Sequence, residues 1–172
     1  SHYYSIPRLQ VRGAILENGH IQPVTGLAWM DHEFMSQSLQ ESKSGWDWIS
    51  LSFRNGADLM VYQVRGVSAV DTVIFGTYRA PNGEVTHLTR ELVTMTPVSW
   101  WKSTRSGGRY PIEWNIHLKS LELSVQVKPR LNDQEFVPEI GPTYWEGAIE
   151  TSDGAGLGFL ELTGYAEKLG GL

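Results

Sequence analysis

Apolar and polar residues alternate with a period of two along most of this chain, the spacing that sets one face of a β-strand on a core and the other in water. Leu121, Leu123, Val125 and Val127 take turns with Glu122, Ser124 and Gln126, as in an ordinary half-buried strand. Runs of this kind predict strands over Tyr3 to Leu16, Ile21 to Phe34, Trp46 to Phe53, Leu59 to Arg65, Thr72 to Arg79, Val85 to Thr94, around Trp100, Ile112 to Leu118, Leu121 to Lys128, Tyr144 to Thr151 and Leu157 to Tyr165. No stretch of useful length follows the helical period instead. Three Asn-Gly pairs, Asn18-Gly19, Asn55-Gly56 and Asn82-Gly83, stand between such runs. Asn and Gly accept positive φ at both central positions of a type I′ turn, so each pair is predicted to close a hairpin. The polar segment 36–45 is predicted to be a loop at a rim or lid. The expectation is an all-β fold of about ten antiparallel strands in sequential hairpins, an up-and-down barrel or curled sandwich with little helix.

Two runs break the simple alternation. Leu27, Trp29, Asp31 and Glu33 share one face of their strand, and Ala28, Met30, His32 and Phe34 the other, so each face carries apolar bulk beside an ionisable group. Asp47 shares a face with Ile49, Leu51 and Phe53, while Trp46 and Trp48 lie with Ser50 and Ser52. A carboxylate among apolar neighbours must be paired, hydrogen-bonded or shifted upward in pKa, which makes such positions functional candidates. The competing structural reading pairs Asp31, Glu33 or Asp47 internally with Arg65, Arg79 or Arg90. Asp31-His32-Glu33 has the composition of a metal cluster, but neighbours along a strand point to opposite faces and converge on one ion only through a bulge, so no metal is expected.

Composition narrows the classes. The 172 residues suit one domain over 1–172 and are enough to bury a real core. Seven Trp, seven Tyr and five Phe either fill that core or line a cavity for an apolar or planar ligand; Trp29, Trp46, Trp48 and Trp145 together form a candidate cavity wall. A net charge of −5 offers no basic footprint for nucleic acid. With no cysteine there are no disulfides or thiolate nucleophiles, and compartment cannot be read from cysteine usage. Gly66-Val67-Ser68-Ala69-Val70 lacks the last glycine of a nucleophile elbow, and Gly154 to Gly158 lacks dinucleotide spacing, so neither motif supplies chemistry. The chain opens on Ser1-His2 and reads as a processed product or excised segment.

The strings Gly26-Leu27-Ala28-Trp29-Met30-Asp31-His32-Glu33, Trp46-Asp47-Trp48, Leu59-Met60-Val61-Tyr62 with Arg65, Tyr144-Trp145-Glu146-Gly147-Ala148 and Glu161-Leu162-Thr163-Gly164-Tyr165 resemble, in this order, the lipocalin-like AttH/CrtC family. That family groups carotenoid 1,2-hydratases, proteins described as predicted secreted hydrolases, and relatives acting as Diels–Alderases. The resemblance runs from about Tyr3 to Tyr165 and implies an antiparallel lipocalin-like β-barrel. Members carry two such barrels in tandem and these motifs resemble the second, which implies that this chain is the C-terminal half of a two-domain parent. Ile49 departs from the aromatic residue expected after Trp-Asp-Trp, which alters one cavity wall.

Likeness to the hydratases implies a reaction without cofactor, in which a carboxylic acid protonates an isolated C=C bond, aromatic faces shield the cation and water adds. Asp31 would be the acid, kept protonated by apolar surroundings, with His32 and Glu33 as further candidate catalytic groups. Trp29, Trp46, Asp47, Trp48, Tyr62, Arg65 and Trp145 would bind a terpenoid, lipid or polyketide-like ligand. The other readings are a non-catalytic ligand-binding barrel and a filled structural barrel packed against an N-terminal barrel or a second copy. The resemblance also implies a periplasmic or secreted parent.

Overall fold

The computed structural model describes residues 2–34 and 43–167. The chain divides into two compact units, Ser1–Ser38 and Leu39–Leu172.

The first unit is a long antiparallel ribbon. Strand β1 (His2–Glu17) pairs with β2 (His20–Phe34) from His2 opposite Phe34 to Glu17 opposite His20. Asn18 and Gly19 close it at φ 51° and 78°, the double positive φ that a type I′ turn requires. The register shifts between Ile6 and Leu9, where Pro7 has no N–H to give and Arg8 turns to φ 59°, so the ladder bulges there. Pairing places Tyr3, Ser5, Asp31 and Glu33 on one face, and Tyr4, Ile6, Met30, His32 and Phe34 on the other.

The second unit is one curled antiparallel sheet. Its strands are β3 (Lys43–Phe53), β4 (Asp58–Gly66), β5 (Val73–Arg79), β6 (Val85–Thr89), β7 (Val93–Lys102), β8 (Arg109–Leu118), β9 (Leu123–Pro129), the short β10 (Glu135–Phe136), β11 (Tyr144–Thr151) and β12 (Gly156–Thr163). They run in the order β6-β5-β4-β3-β12-β11-β9-β8-β7, with β10 added to β11. Apart from β10, this is the sequence order wrapped into a ring: β12 returns to β3, and the ladder is open between β6 and β7. The fold is therefore an up-and-down, lipocalin-like barrel slit along one seam, with two short 3₁₀ turns, Ala69–Asp71 and Lys119–Leu121, as the helical content of this unit among the described residues.

Local details differ from the sequence expectation in three places. The run Val85 to Thr94 is two strands, because the chain turns at Thr89 to Leu92, where the Leu92 amide donates to the Thr89 carbonyl at 2.9 Å. Asn55-Gly56 and Asn82-Gly83 do close hairpins, but only their glycines take positive φ. In both, the Asn side chain accepts the amide two residues on, from Ala57 at 3.0 Å and from Glu84 at 3.0 Å. This Asx geometry holds the asparagine at negative φ and leaves the left-handed position to glycine, the larger hairpin loop rather than type I′. Residues 43–45 belong to β3, while the remainder of the predicted rim loop, 36–42, lies outside the described residues.

The inner face of the barrel carries the core. Ile49 and Leu51 of β3, Leu59 and Val61 of β4, Tyr110, Trp114, Ile116 and Leu118 of β8, Trp145 and Ile149 of β11, and Leu160 and Leu162 of β12 are buried in one cluster. Cross-strand register puts Trp145, Leu162, Asp47 and Gln63 in a single inward row, and Glu146, Glu161, Trp48, Tyr62 and Phe75 in the adjacent outward row.

Candidate functional site

Asp47 enters the core because strand alternation gives it no other direction: Ile49, Leu51 and Phe53 on the same face are all buried. Its carboxylate is fully enclosed, and four bonds would be needed to replace its water. Three are present. The Asp47 Oδ1 accepts from the Arg65 guanidinium and from the Tyr165 hydroxyl at 2.8 Å, and Oδ2 accepts from Gln63 Nε2 at 3.0 Å. Arg65 also donates to the Thr163 carbonyl, and its Cζ lies 3.9 Å from the centre of the Tyr165 ring. Gly45 makes room for this, since a Cβ there would collide with Thr163 O and Arg65 Nη2. Burial pushes the Asp47 carboxyl up; the Arg65 charge and the hydrogen bonds from Arg65, Tyr165 and Gln63 pull it back, and burial is the larger effect. The Tyr165 phenol is pushed well up by its own burial and by the charge of Asp47.

Tyr165 links this cluster to a second. Its ring centre is 5.7 Å from Tyr110 and 6.2 Å from Trp100, and Tyr110 stacks on Trp101 at 6.1 Å. Tyr110 donates to Glu135 Oε1 at 2.9 Å. Glu135 is buried, and it also accepts from the Ser103 hydroxyl at 2.5 Å and from the Ser106 hydroxyl. Burial raises the Tyr110 phenol, and its bond to the Glu135 carboxylate raises it further. Two enclosed carboxylates are thus joined by two tyrosines whose rings touch, all within the second unit.

In the ribbon, Asp31 is half-buried and accepts from the Tyr3 hydroxyl at 2.5 Å and from Trp29 Nε1 at 2.8 Å. Among the described residues no lysine or arginine pairs with it. Glu33 shares its face; His32 points to the opposite face, where its ring lies 4.2 Å from Phe34 and 5.6 Å from Tyr4 and its Nδ1 is 3.2 Å from the Tyr4 hydroxyl.

The remaining sequence candidates separate by strand parity. Trp145 is fully buried in the core and donates its indole N–H to the Asn132 carbonyl at 2.8 Å. Trp46, Trp48 and Tyr62 are half-buried on the outward face, where Trp46 Nε1 donates to Glu161 at 3.0 Å and Tyr62 meets Phe75 edge-on at 5.0 Å. Of the arginines named as internal partners, Arg65 takes Asp47, Arg79 takes Asp58 through Nε at 2.9 Å, and Arg90 donates to the Thr72 carbonyl at 3.0 Å. Sequence reasoning missed Gln63, Tyr165, Glu135, Tyr110, Ser103 and Ser106 as members of polar clusters. The signal for Gln63 was present, a polar residue on the face of Leu59 and Val61; Glu135 lies in an irregular stretch where period-two reasoning has no purchase.

Residues 1–165 match the family model described as AttH-like. A solved structure from Nitrosomonas europaea, assigned as an AttH, is 39% identical with a TM-score of 0.86, over 95% of this chain and 51% of that one. Kievitone hydratase from Nectria haematococca is 19% identical with a TM-score of 0.75, over 96% of this chain and 53% of that one, a likeness of fold. The chain therefore spans about half the length of both solved structures. No curated protein matches it.

Proposed function

This chain belongs to the AttH-like family, and from that premise we propose that it binds an apolar terpenoid, lipid or polyketide-like ligand and performs cofactor-free, acid-catalysed hydration or cyclisation on it. Asp31 is the acid. The observation that carries this reading is the way the carboxylates sort: Asp47 and Asp58 are held by arginines, whereas Asp31 is held by two neutral donors, the Tyr3 phenol and the Trp29 indole. Asp31 is thus fixed in position by neutral side chains and carries no ion pair that a substrate would have to break.

In hydration, the Asp31 proton adds to one alkene carbon, forming a C–H bond and leaving a tertiary cation on the other. Water adds to that cation, a C–O bond forms, and the surplus proton returns to the Asp31 carboxylate, so the enzyme is regenerated. Trp29, bonded to Asp31, offers an electron-rich ring of the kind that stabilises a cation. Glu33, on the same face, is a second carboxyl that would hold the attacking water by a hydrogen bond. The hydratase likeness supports the fold that hosts such chemistry and goes no further at its identity.

A second, non-catalytic reading is favoured by the filled inner face and the Asp47–Arg65 pair, which make the second unit a self-satisfied packed body. The two readings part on one experiment. Tryptophan fluorescence measures binding of a linear isoprenoid ending in a trisubstituted alkene, and product analysis measures its hydration, in wild type and in Asp31→Asn. Acid catalysis predicts retained binding and lost turnover in the variant. Binding without turnover in both proteins leaves the non-catalytic reading, and equal turnover in both removes Asp31 from the chemistry.

A further inference from the structure

Ser5 stands directly opposite Asp31 in the β1–β2 ladder, and Tyr3 stands opposite Glu33 at the next position on the same face. Residues opposed in this way carry their Cβ atoms about 4.5–5.5 Å apart, so the serine hydroxyl and the carboxyl are immediate neighbours. Among the described residues, Ser5 Oγ is the one enclosed side-chain nitrogen or oxygen without a hydrogen-bond partner. The donors beside it are turned to Asp31 instead, the Tyr3 hydroxyl to Oδ2 at 2.5 Å and Trp29 Nε1 to Oδ1 at 2.8 Å. An enclosed hydroxyl left unpaired is costly, and such a group calls for a reason, a catalytic role or a bound water among them. Alanine would take the same place on the strand without that cost.

We propose that Ser5 is the positioning residue for the water that adds to the cation, an inference that rests on the reading of Asp31 as the acid. A serine hydroxyl ends one bond beyond Cβ and a carboxylate oxygen two, so a water about 2.8 Å from Ser5 Oγ stands at the height of the Asp31 carboxyl or just above it. The hydroxyl proton rotates to suit its partner and donates to one lone pair of the water. One water O–H points at Asp31 and the other at Glu33, which gives the water three polar partners, the usual number for a buried one. Its second lone pair then faces the substrate. The alkene lies with the carbon to be protonated over Asp31 and the carbon that becomes the cation over Ser5. As the C–O bond forms, the surplus proton passes to the Asp31 carboxylate, and Ser5 keeps its own proton throughout. A water held in this way is what directs the cation to an alcohol rather than to loss of a proton and return to an alkene.

That partition is the test. The full chain is incubated in heavy water with a linear isoprenoid ending in a trisubstituted alkene, and mass spectrometry follows two products of the same cation: the alcohol, and recovered alkene that has taken up deuterium. Ser5→Ala is compared with wild type and with Ser5→Thr, which restores a hydroxyl, with circular dichroism as the check on folding. Ser5→Ala should still place deuterium in the alkene while its ratio of alcohol to deuterated alkene falls about tenfold, the effect of one hydrogen bond on a barrier, and Ser5→Thr should recover most of that ratio. Crystal structures should show an ordered water within hydrogen-bond distance of Ser5 Oγ and Asp31 in the wild type and lose it in Ser5→Ala. A ratio unchanged in Ser5→Ala, whether the two rates hold or fall together, overturns the role of Ser5 and leaves Asp31 as the acid. Deuterated alkene without alcohol from the wild type does the same. A wild type that yields neither product removes the acid itself, and the role of Ser5 with it.

Discussion

Arg65 and Tyr165 both bind the same oxygen of Asp47 while the guanidinium sits over the phenol ring, its Cζ 3.9 Å from the centroid. The three side chains form a closed triangle in which each contact satisfies a group that burial would otherwise penalise. The arrangement ties β3 and β4 to the segment after β12 by side chains as well as by ladder hydrogen bonds, and its energetics can be taken apart one corner at a time.

Asp47→Leu removes the acceptor that Arg65, Tyr165 and Gln63 share and strands their donors. The expected cost is about 3 kcal/mol or more. Adding Arg65→Met should recover part of it, so that the double variant falls short of the sum of the singles by over about 1 kcal/mol. Urea denaturation of the four proteins measures this directly, and additive costs would mean that the pair is not coupled.

The pH dependence of the same group follows from its raised pKa. Below the unfolded value of 3.8 both states hold the proton and the burial penalty is absent. As pH rises from there to the folded value the unfolded chain sheds its proton first, so the penalty grows and then stays constant. Asp47→Asn, which keeps an acceptor and carries no charge, should lie within about 1 kcal/mol of wild type at neutral pH. The wild type should gain on it as pH falls towards 3.8. A wild type that loses ground to the variant over that interval would show that Arg65 outweighs burial.

Tyr110 and Tyr165 should resist ionisation. Burial and a carboxylate partner raise both above the ordinary phenol value of 10.0, so the folded state keeps these protons while the unfolded state releases them. Stability conferred by the two phenols is then complete below that ordinary value and declines above it. In an absorbance titration of the seven tyrosines, Tyr110 and Tyr165 should be among those that ionise only as the protein unfolds. Tyr165→Phe should remove one of these late protons and leave the other.

Gly158 faces the backbone of β3, and a Cβ there would collide with Ser50 O. Gly158→Ala must push β12 away from β3 and should cost about 2–3 kcal/mol, the upper part of the range for overpacking a tight contact. The same substitution at Gly83, where a Cβ meets nothing, carries only the strain of positive φ, about 1 kcal/mol. Thermal melts that rank the two in the opposite order would contradict the close approach.

The sheet was legible because period two and turn chemistry act locally: β1, β2 and their Asn18-Gly19 turn are where the sequence places them. The division of Val85 to Thr94 was not, because Thr89 to Leu92 carries no Gly, Pro or Asn to mark its turn. Parity alone separated Asp47 from Trp46 and Trp48, and the family motif carried Thr163 and Tyr165. What the sequence left open was the choice of partner. Three arginines and three carboxylates of similar chemistry allow several pairings, and only the register of β3 on β4, which places Asp47 opposite Gln63 and Gly45 opposite Arg65, selects one. The Glu135 cluster draws its donors from the 103–110 segment across an irregular loop, a long-range meeting that no local pattern announces.

The return of β12 to β3 also bears on how the polypeptide reaches this state. Trp46 and Thr163, bonded through the Trp46 amide at 3.1 Å, are 117 residues apart in the chain. The β3–β12 ladder on one flank of β3 can form only after everything from β3 to β12 has been synthesised. Until then β3 to β6 wait as an open meander with both edges unpaired and an uncovered apolar face, and loop closure over such a separation is slow. On the ribosome the barrel should therefore complete itself in one late step, and any truncation that removes β12 should leave a protein that requires a chaperone to stay in solution.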